Sequence, residues 1–384
     1  MKLIGFILFF SIFFGVYLAG NYYVYIRGLQ ALPVISYVRI IYRVVFIVLA
    51  FSFIISRFTS YSQHFAINHT LTWIGSFWLA AIVYFIVILL VIDLVRLLNL
   101  AFHFLPNVNS LAYGAFKQWL LVLVVIAVGI TIIWGHYNAI HPRIVNLNLK
   151  IDKPVLNNRL KIVLASDIHL GPLVGKERLE GFVSIVNGQK PDIVLLAGDL
   201  LDESQEPILR ENTGEPLKKL QAKYGVYAVV GNHEYIGGIN RAIKYLESLN
   251  IKVLKDSSVL INNNFTVVGR DDYGSGRGTG KTRKTLNELV AHVDFSKPLI
   301  LLDHQPYKLQ EAVDNGIDLQ LSGHTHNGQF WPFNYLTKAM FEVSWGYKKK
   351  GNSNFYVSSG FGSWGPPVRI GNRPEIVVID LIGR

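Results

Sequence analysis

The sequence contains no cysteine, which excludes disulfide frameworks, thiolate metal sites and cysteine nucleophiles. Charged residues are also scarce, at 16% of 384 residues, whereas 51% are hydrophobic. Acidic residues are nearly missing from the first 150 positions, which hold nine Lys or Arg and the single acid Asp93. Such a composition is unusual for a purely soluble protein. Because the surplus positive charge lies mainly in this apolar part, we expect no nucleic-acid partner.

Long apolar runs in residues 1–140 predict an all-α transmembrane region. The first run has no charge over 24 residues and is longer than the apolar part of a secretory signal peptide, so we interpret it as a membrane span. Four helices are predicted, at about 3–26, 38–56, 71–95 and 117–135. We expect a linker over 141–158 and a folded domain over 159–384.

The distribution of Lys and Arg around the predicted spans indicates their orientation. Five basic residues lie in the first and third loops, and two lie on the other side. By the positive-inside rule, the first and third loops face the cytoplasm. We therefore predict a multi-pass protein of the plasma (inner) membrane, with lipid bilayer as its partner and the folded domain extracytoplasmic. Three basic residues directly after the fourth span favour the opposite orientation: Arg143, Lys150 and Lys153.

After Pro142, short apolar runs alternate with amphipathic stretches. Five runs are predicted to be buried strands: Leu160–Ser166, Ile193–Ala197, Val226–Val230, Leu299–Leu302 and Leu319–Ser322. Helical periodicity covers Glu177–Asn187, Ile239–Leu249 and Thr285–His292, and two more strands are predicted at Phe355–Ser358 and Ile376–Leu381. Alternation of strands and helices predicts an α/β layered domain.

Each of the five buried strands is followed by residues that can bind a metal ion. They are Asp167, His169, Asp199, Asn232, His304, His324 and His326. Ligands converge outside the carboxyl ends of strands in an open α/β sheet, so we expect these side chains to meet. Oxygen and imidazole donors suit divalent Mn, Fe or Zn. Seven ligands are too many for one tetrahedral ion and fit two ions that share a carboxylate.

These motifs resemble those of the calcineurin-like metallophosphoesterases. D-x-H, G-D-x-x-D, G-N-H-E, a later histidine and G-H-x-H follow one another over residues 155–384, and the apolar half lies outside the resemblance. The closer resemblance is to a membrane-associated bacterial phosphohydrolase branch, through Gly323–Gln329 and Tyr356–Gly362, followed by Pro367–Arg369. That branch often has Arg where this chain has Ser359, so we expect the substrate contact either to be missing or to be supplied by Arg369.

The resemblance implies a sandwich of mixed sheets flanked by helices, with two divalent ions. It assigns Asp167, His169 and His326 to the first ion, Asn232, His304 and His324 to the second, and Asp199 to the bridge between them. His233 would protonate the leaving oxygen and Asp202 would orient it. The expected protein is a membrane-anchored phosphoesterase that hydrolyses a phosphodiester or phosphomonoester by attack of a hydroxide bridging the ions, and a lipid-linked ester is one candidate substrate.

Two further segments have more than one interpretation. The glycine-rich loop from Ser275 to Thr282 is similar to a phosphate-binding loop but lacks its first glycine, and Arg277 is a candidate substrate contact. Seven aromatic residues lie between 330 and 347, just before three lysines: Phe330, Trp331, Phe333, Tyr335, Phe341, Trp345 and Tyr347. We expect this segment either to rest on a bilayer or to pack as a lid or in the core.

Two alternative functions stay open. The same chemistry on the cytoplasmic side would suit a pyrophosphohydrolase that cleaves a nucleotide-linked lipid precursor such as a UDP-diacylglucosamine. A protein of another class, a polytopic membrane sensor or scaffold, would bind metal or ligand without turnover. The complete set of seven ligands and the adjacent His233 favour an enzyme.

Overall fold

The computed structural model describes residues 2–59, 65–107, 110–275 and 282–384. The chain divides into two compact units, residues 1–136 and 137–384. The first unit is built from helices. The second contains all of the described strands and every predicted metal ligand.

Four long helices form the first unit: α1 (Lys2–Ala31), α2 (Ser36–Thr59), α3 (Phe65–Phe102) and α4 (Leu111–Ile140). Among the residues that the structure describes, three stretches are long and apolar enough to cross a membrane: Ser36–Ser56, Asn68–Phe102 and Leu111–Ile140. The predicted first span, 3–26, falls on α1, and its crossing stays a prediction. The helices extend beyond the predicted ranges because polar residues at their ends continue the helical backbone.

Helices α2 and α3 pack closely because a glycine stands at their contact. A β-carbon at Gly75 would collide with the backbone of Phe53. Small residues at such positions let two apolar helices approach each other, which is how helices associate in a lipid environment. Nearby, Phe46 and Trp78 form an edge-to-face aromatic pair in the buried centre of this unit.

Two six-stranded sheets form the second unit. In spatial order the first sheet contains β1 (Arg143–Lys150), β12 (Glu375–Ile382), β2 (Arg159–Ala165), β3 (Ile193–Ala197), β4 (Val226–Val229) and β5 (Ile251–Val253). The second contains β10 (Gly346–Lys350), β11 (Ser353–Val357), β9 (Leu319–Ser322), β8 (Leu299–Leu302), β7 (Phe265–Gly269) and β6 (Ser257–Ile261). Side chains of both sheets share one hydrophobic core, so the sheets pack face to face.

Short helices cover the outer faces of the sandwich. They are α5 (Lys176–Gly188), α6 (Gln205–Glu211), α7 (Asn232–Gly237), α8 (Ile239–Ser248), α9 (Leu286–Val290), α10 (Gln310–Asp314) and α11 (Phe333–Met340). Phe182 of α5 and Leu246 of α8 pack on the first sheet, and Leu289 of α9 packs on the second. This arrangement confirms the predicted α/β fold with sheets between helices.

The segment expected to be a linker, 141–158, differs from that expectation. It contains β1, which pairs in parallel with β12 over its whole length, from Arg143 opposite Glu375 to Lys150 opposite Ile382. The local sequence does not show this because only alternate residues of β1 are covered, as at an exposed sheet edge, and because its partner lies about 230 residues away.

Candidate metal centre

The predicted ligands meet at one edge of the two sheets. Strands β2, β3 and β4 are parallel neighbours in the first sheet, and β8 and β9 are parallel neighbours in the second. Their carboxyl ends therefore point the same way within each sheet, and the loops that follow carry the seven predicted ligands. The polar segments after these strands thus bring candidate ligands from both sheets together.

Three groups of side chains lie close enough together to hold a metal ion. They are Asp167 with His169 and His326, His169 with Asp199 and His233, and Asp199 with His304 and His324, and within each group the candidate ligand atoms lie within 4.8 Å of one another. His169 Nε2 lies 3.1 Å from His326 Nε2, and His304 Nε2 lies 3.1 Å from Asp199 Oδ2. Asp199 belongs to two groups, which is the geometry that a bridging carboxylate needs.

Five of the seven predicted ligands have left-handed backbone conformations. Their φ angles are 51° for Asp167, 48° for His169, 51° for Asp199, 73° for His324 and 47° for His326. A non-glycine residue in this region costs on the order of 1–3 kcal/mol and persists only where its surroundings enforce it. Gly198, with φ 86°, has no such cost, and a β-carbon there would lie 2.6 Å from His304 Nδ1. The loops therefore hold the ligands in place at a cost in local stability.

Burial holds several of the histidines in their neutral form. Burial, together with the charge of His233, lowers the pKa of His169 to about 3, and burial with the charge of His304 lowers the pKa of His324 to about 3. Burial, His169 and the guanidinium of Arg369 lower the pKa of His326 well below its ordinary value. Neutral imidazole is the form that binds a metal ion.

Asp199 is the negative centre of the site. Burial raises the pKa of its carboxyl, but the charges of His304 and His233 outweigh burial and hold that pKa well below its ordinary value. Conversely, burial lowers the pKa of His304, but the charges of Asp199 and Asp167 raise it well above the ordinary value.

The donor set fits divalent metal ions. All of its atoms are oxygen or imidazole nitrogen, which suits Mn, Fe or Zn. Two buried atoms in the set, Asn232 Oδ1 and His169 Nδ1, accept or donate no hydrogen bond among the described residues. Buried polar atoms are nearly always satisfied, so unpaired ones at a cluster of ligands are expected where an ion binds.

His233 lies beside His169 and Asp199 and is 5% exposed. Its Nδ1 lies 3.4 Å from Asp202 Oδ1 and 3.8 Å from Glu203 Oε1, while its backbone N–H donates to Asp199 Oδ1. Burial lowers the pKa of His233, but Asp199 and Asp202 together raise it to about 9. The structure thus brings His233 and Asp202 together, and the neighbouring carboxylates favour the protonated imidazole in the metal-free site.

Glu234 is a functional residue that the sequence reasoning did not identify. Its buried carboxylate accepts four backbone N–H groups, from Asp199 (3.1 Å), Leu200 (2.7 Å), Leu201 (2.9 Å) and Gly231 (2.7 Å). It therefore fastens the loop after β3 to the loop after β4. The sequence did contain an indication of this role, because Glu234 is the last residue of the G-N-H-E motif. A glutamate directly after two site residues is well placed to bind the backbone of the loops that carry the site.

Arg369 occupies a different position from the one expected of a substrate contact. It is 0% exposed, and its Nη2 donates to Gly362 O at 2.7 Å and lies 3.2 Å from His326 Nδ1. The guanidinium therefore supports His326 from behind, where a substrate cannot reach it. The other tentative substrate contact, Arg277, lies outside the described residues.

Asp303, directly before His304, is held by two arginines that sequence reasoning also missed. Arg270 Nη1 lies 3.3 Å from Asp303 Oδ2, and Arg283 Nη1 donates to Asp303 Oδ1 at 2.8 Å. All three side chains are almost fully buried. These two ion pairs fix the end of β8 and hence the direction of the His304 side chain.

Comparisons with known proteins agree with this geometry. A family model described as calcineurin-like phosphoesterase matches residues 160–328. An uncharacterized metallophosphoesterase of Aquifex aeolicus is 32% identical over 253 residues, covering 65% of this chain and 96% of that protein. A second one, from Campylobacter jejuni, is 31% identical over 378 residues, 95% of this chain and 96% of that protein. A transmembrane protein with metallophosphoesterase domain from Danio rerio is 35% identical over 289 residues, 71% of this chain and 64% of that protein.

Proposed function

The chain belongs to the calcineurin-like metallophosphoesterases, and we propose that it is a membrane-anchored hydrolase of phosphate esters that uses two divalent metal ions. One observation carries the proposal: the carboxylate of Asp199 lies in one candidate metal group with His169 and in another with His304 and His324, so it can reach ligands of both ions. In this proposal Asp167, His169 and His326 hold one ion, and Asn232, His304 and His324 hold the other. Three long apolar helices provide the anchor.

The residues around the ions would divide the chemistry among them. When bound, two ions supply charge stabilisation of the phosphate oxygens and a nucleophilic water near neutral pH. His233 donates its proton to the departing oxygen, and Asp202 orients the imidazole and restores its proton affinity afterwards. Glu234 keeps the Asp199 and Asn232 loops in register, and Arg369 holds His326 in place.

Metal-dependent hydrolysis by the purified full-length protein in detergent tests this function. The protein is stripped with a chelator, then supplied with Mn, Zn or Mg, and assayed with nitrophenyl phosphate and bis(nitrophenyl) phosphate. We expect no turnover without metal and recovery with at least one ion, which also identifies the preferred metal and ester class. Asn232→Ala should abolish the recovery, and exposed His292→Ala should not. A folded protein that is inactive with every ion would support a sensor or scaffold.

We further propose that the substrate phosphate is lipid-linked or lies close to a membrane. The support is an exposed apolar surface formed by Trp331 and helix α11. Phe333, Leu336 and Met340 of α11 are 43–58% exposed, and their spacing of three and four residues puts them on one helix face. Phe330 and Phe341 are buried, so the two ends of the segment are tied to the domain while the helix between them is open.

Apolar side chains should contribute more to membrane binding by this surface than charged side chains do. Lys348 and Lys350 both contact Glu342, at 3.0 Å, which partly neutralises them. Trp345 is bound to the domain, since its indole N–H donates to Glu375 and its ring faces Arg143. A test of membrane contact should therefore leave Trp345 unchanged and alter α11.

Vesicle binding by residues 137–384 tests the lipid-facing surface. Replacing Phe333, Leu336 and Met340 by Ser should weaken binding to anionic vesicles and leave hydrolysis of a small soluble phosphodiester unchanged. The matched control replaces Leu260 and Phe295 by Ser, two exposed apolar residues at other places on the domain. Unchanged vesicle binding by the α11 variant would remove the support for a lipid-linked substrate.

We propose an extracytoplasmic position for the domain, in the plasma (inner) membrane. The excess of Lys and Arg in the first and third loops supports this orientation, provided that α1 crosses the membrane as well. Enzymatic reporters fused after residue 384 test it. A reporter active outside the cytoplasm is expected. A reporter active only inside would favour a cytoplasmic enzyme that cleaves a nucleotide-linked lipid precursor.

A further inference from the structure

The helical unit contains a large apolar cavity. Its volume is about 1090 Å³, and residues of α1, α2, α3 and α4 line it. On α3 the lining runs from Trp78 to Arg96, which is about 27 Å at 1.5 Å per residue. That length is close to the hydrocarbon thickness of a bilayer, about 30 Å. The cavity is therefore deep enough for a lipid chain and larger than most sites for small molecules.

The cavity is open at its side. Ile41 and Val45 of α2 and Val125 of α4 line it, and they are also 50–59% exposed at the surface of this unit. These exposed apolar residues lie within segments long and apolar enough to cross a membrane. In a bilayer, acyl chains can thus reach the cavity from the side, whereas a soluble ligand would have to cross an apolar surface.

Charged side chains gather at one end of the cavity. Arg27, Arg96 and Lys117 line it there together with one carboxylate, Asp93, so positive charge exceeds negative charge by two. Asp93 Oδ2 accepts from Arg27 at 2.5 Å, and its Oδ1 accepts from Arg96 at 3.2 Å. Lys117 Nζ donates to Gln30 O at 3.1 Å, which brings α4 to the same end.

We propose that this cavity binds one anionic phospholipid of the surrounding membrane. Its acyl chains lie along the apolar lining, and its phosphate is bound by Arg96 and Lys117. Charge identifies the occupant, because one carboxylate leaves an excess of two positive charges, and the phosphodiester of a lipid with net negative charge neutralises one of them. Arg96 is 45% exposed and uses a single described hydrogen bond of the five that a guanidinium can donate, so it can bind phosphate oxygens without leaving Asp93. Basic pockets between membrane helices bind anionic headgroups in this way.

The proposal concerns the helical unit and does not require phosphoesterase activity. The full-length protein is purified in detergent, exchanged into nanodiscs or micelles, and titrated with dioleoyl phosphatidylglycerol or dioleoyl phosphatidylcholine while bound lipid is counted by native mass spectrometry. We expect one phosphatidylglycerol per chain to be retained, and at least about tenfold weaker retention of phosphatidylcholine, because its choline adds a positive charge beside Arg96 and Lys117 and leaves the lipid without net negative charge.

Three variants test the proposed contacts. Arg96→Gln and Lys117→Gln should each weaken phosphatidylglycerol retention by about tenfold or more. Val45→Trp should weaken retention of both lipids, because it fills the side opening. Arg43→Gln is the matched control: it removes one positive charge from α2 at an exposed position outside the lining. Equal retention of both lipids by the parent protein, or equal effects of Arg43→Gln and Arg96→Gln, would overturn the proposal. Normal helicity and detergent-solubilised yield show that each variant is folded.

Discussion

Replacing Glu234 should loosen the two loops that carry Asp199 and Asn232. The carboxylate is 0% exposed and accepts four backbone N–H groups, two at each oxygen. In Glu234→Gln, one oxygen becomes an amide group that cannot accept, so two buried N–H groups lose their partner. In Glu234→Ala all four lose it.

The size of the effect follows from the cost of an unsatisfied buried donor, about 1–3 kcal/mol each. Glu234→Gln should therefore lower the free energy of unfolding by about 2–6 kcal/mol, and Glu234→Ala by about 4–12 kcal/mol, which approaches the total of about 5–15 kcal/mol for a typical domain. The measurement is urea unfolding of residues 137–384 at pH 8. Burial and the charge of Asp199 raise the pKa of Glu234 to about 7, so its carboxyl is ionised at that pH.

Exposed Glu206 provides the control. It makes a surface ion pair with Arg241 at 3.4 Å, so Glu206→Gln should change the free energy of unfolding by less than about 1 kcal/mol. A midpoint for Glu234→Gln equal to that of Glu206→Gln would refute the clamp role of Glu234. Loss of metal binding in the Glu234 variants at unchanged stability would also contradict it, because the loops are held by the same bonds that stabilise the domain.

Three further substitutions give separate readouts. Asp199→Asn should reduce the occupancy of both metal ions, and elemental analysis showing two tightly held ions with normal turnover would exclude the bridge. His233→Ala should keep metal but lose about 10²–10⁴ in kcat for esters with poor leaving groups, and much less for nitrophenyl esters; equal losses would exclude an acid role. In the metal-free domain, the folded pKa of His233, about 9, exceeds the unfolded 6.5, so its stabilising effect is full below pH 6.5 and lost as pH rises through 9. The stability difference between parent and His233→Ala should therefore shrink between pH 6 and pH 10. Arg369→Lys should weaken metal binding about 10–100-fold by freeing His326, and unchanged affinity would count against that support.

The fold class was predictable because its pattern is local. The apolar runs of β3, β8 and β9 begin and end at the predicted residues, since each is a short, fully buried strand flanked by Asp, Pro or Gly. The positions of the ligands were also predictable, because parallel strands bring their carboxyl ends to one edge. In contrast, β1 and β10 are edge strands with alternate exposed residues, and the sequence alone does not show what they pair with.

The sequence did not allow us to predict how deeply individual charged side chains are buried or which groups they contact. Arg369 and Glu234 look like any charged residues of a loop or helix start in the sequence, yet both are fully buried, one behind His326 and the other beneath two backbone loops. Burial of a charge depends on contacts made by distant segments, such as Gly362 with Arg369. Likewise, the four apolar helices indicate an anchor, but the charged end of the cavity arises only when α1, α3 and α4 are placed side by side.

The position of β12 constrains the order in which this domain can be completed during synthesis. β12 lies between β1 and β2, which are made more than 200 residues earlier. While the ribosome is still translating the second sheet, the backbone N–H and C=O groups of β1 and of one edge of β2 that will pair with β12 have no partner strand. The apolar helices that precede these strands have by then left the ribosome. Such edges are prone to pair with other chains. We expect nascent chains stopped before residue 375 to bind chaperones or to aggregate, and those extended past residue 382 and clear of the ribosome to become resistant to protease.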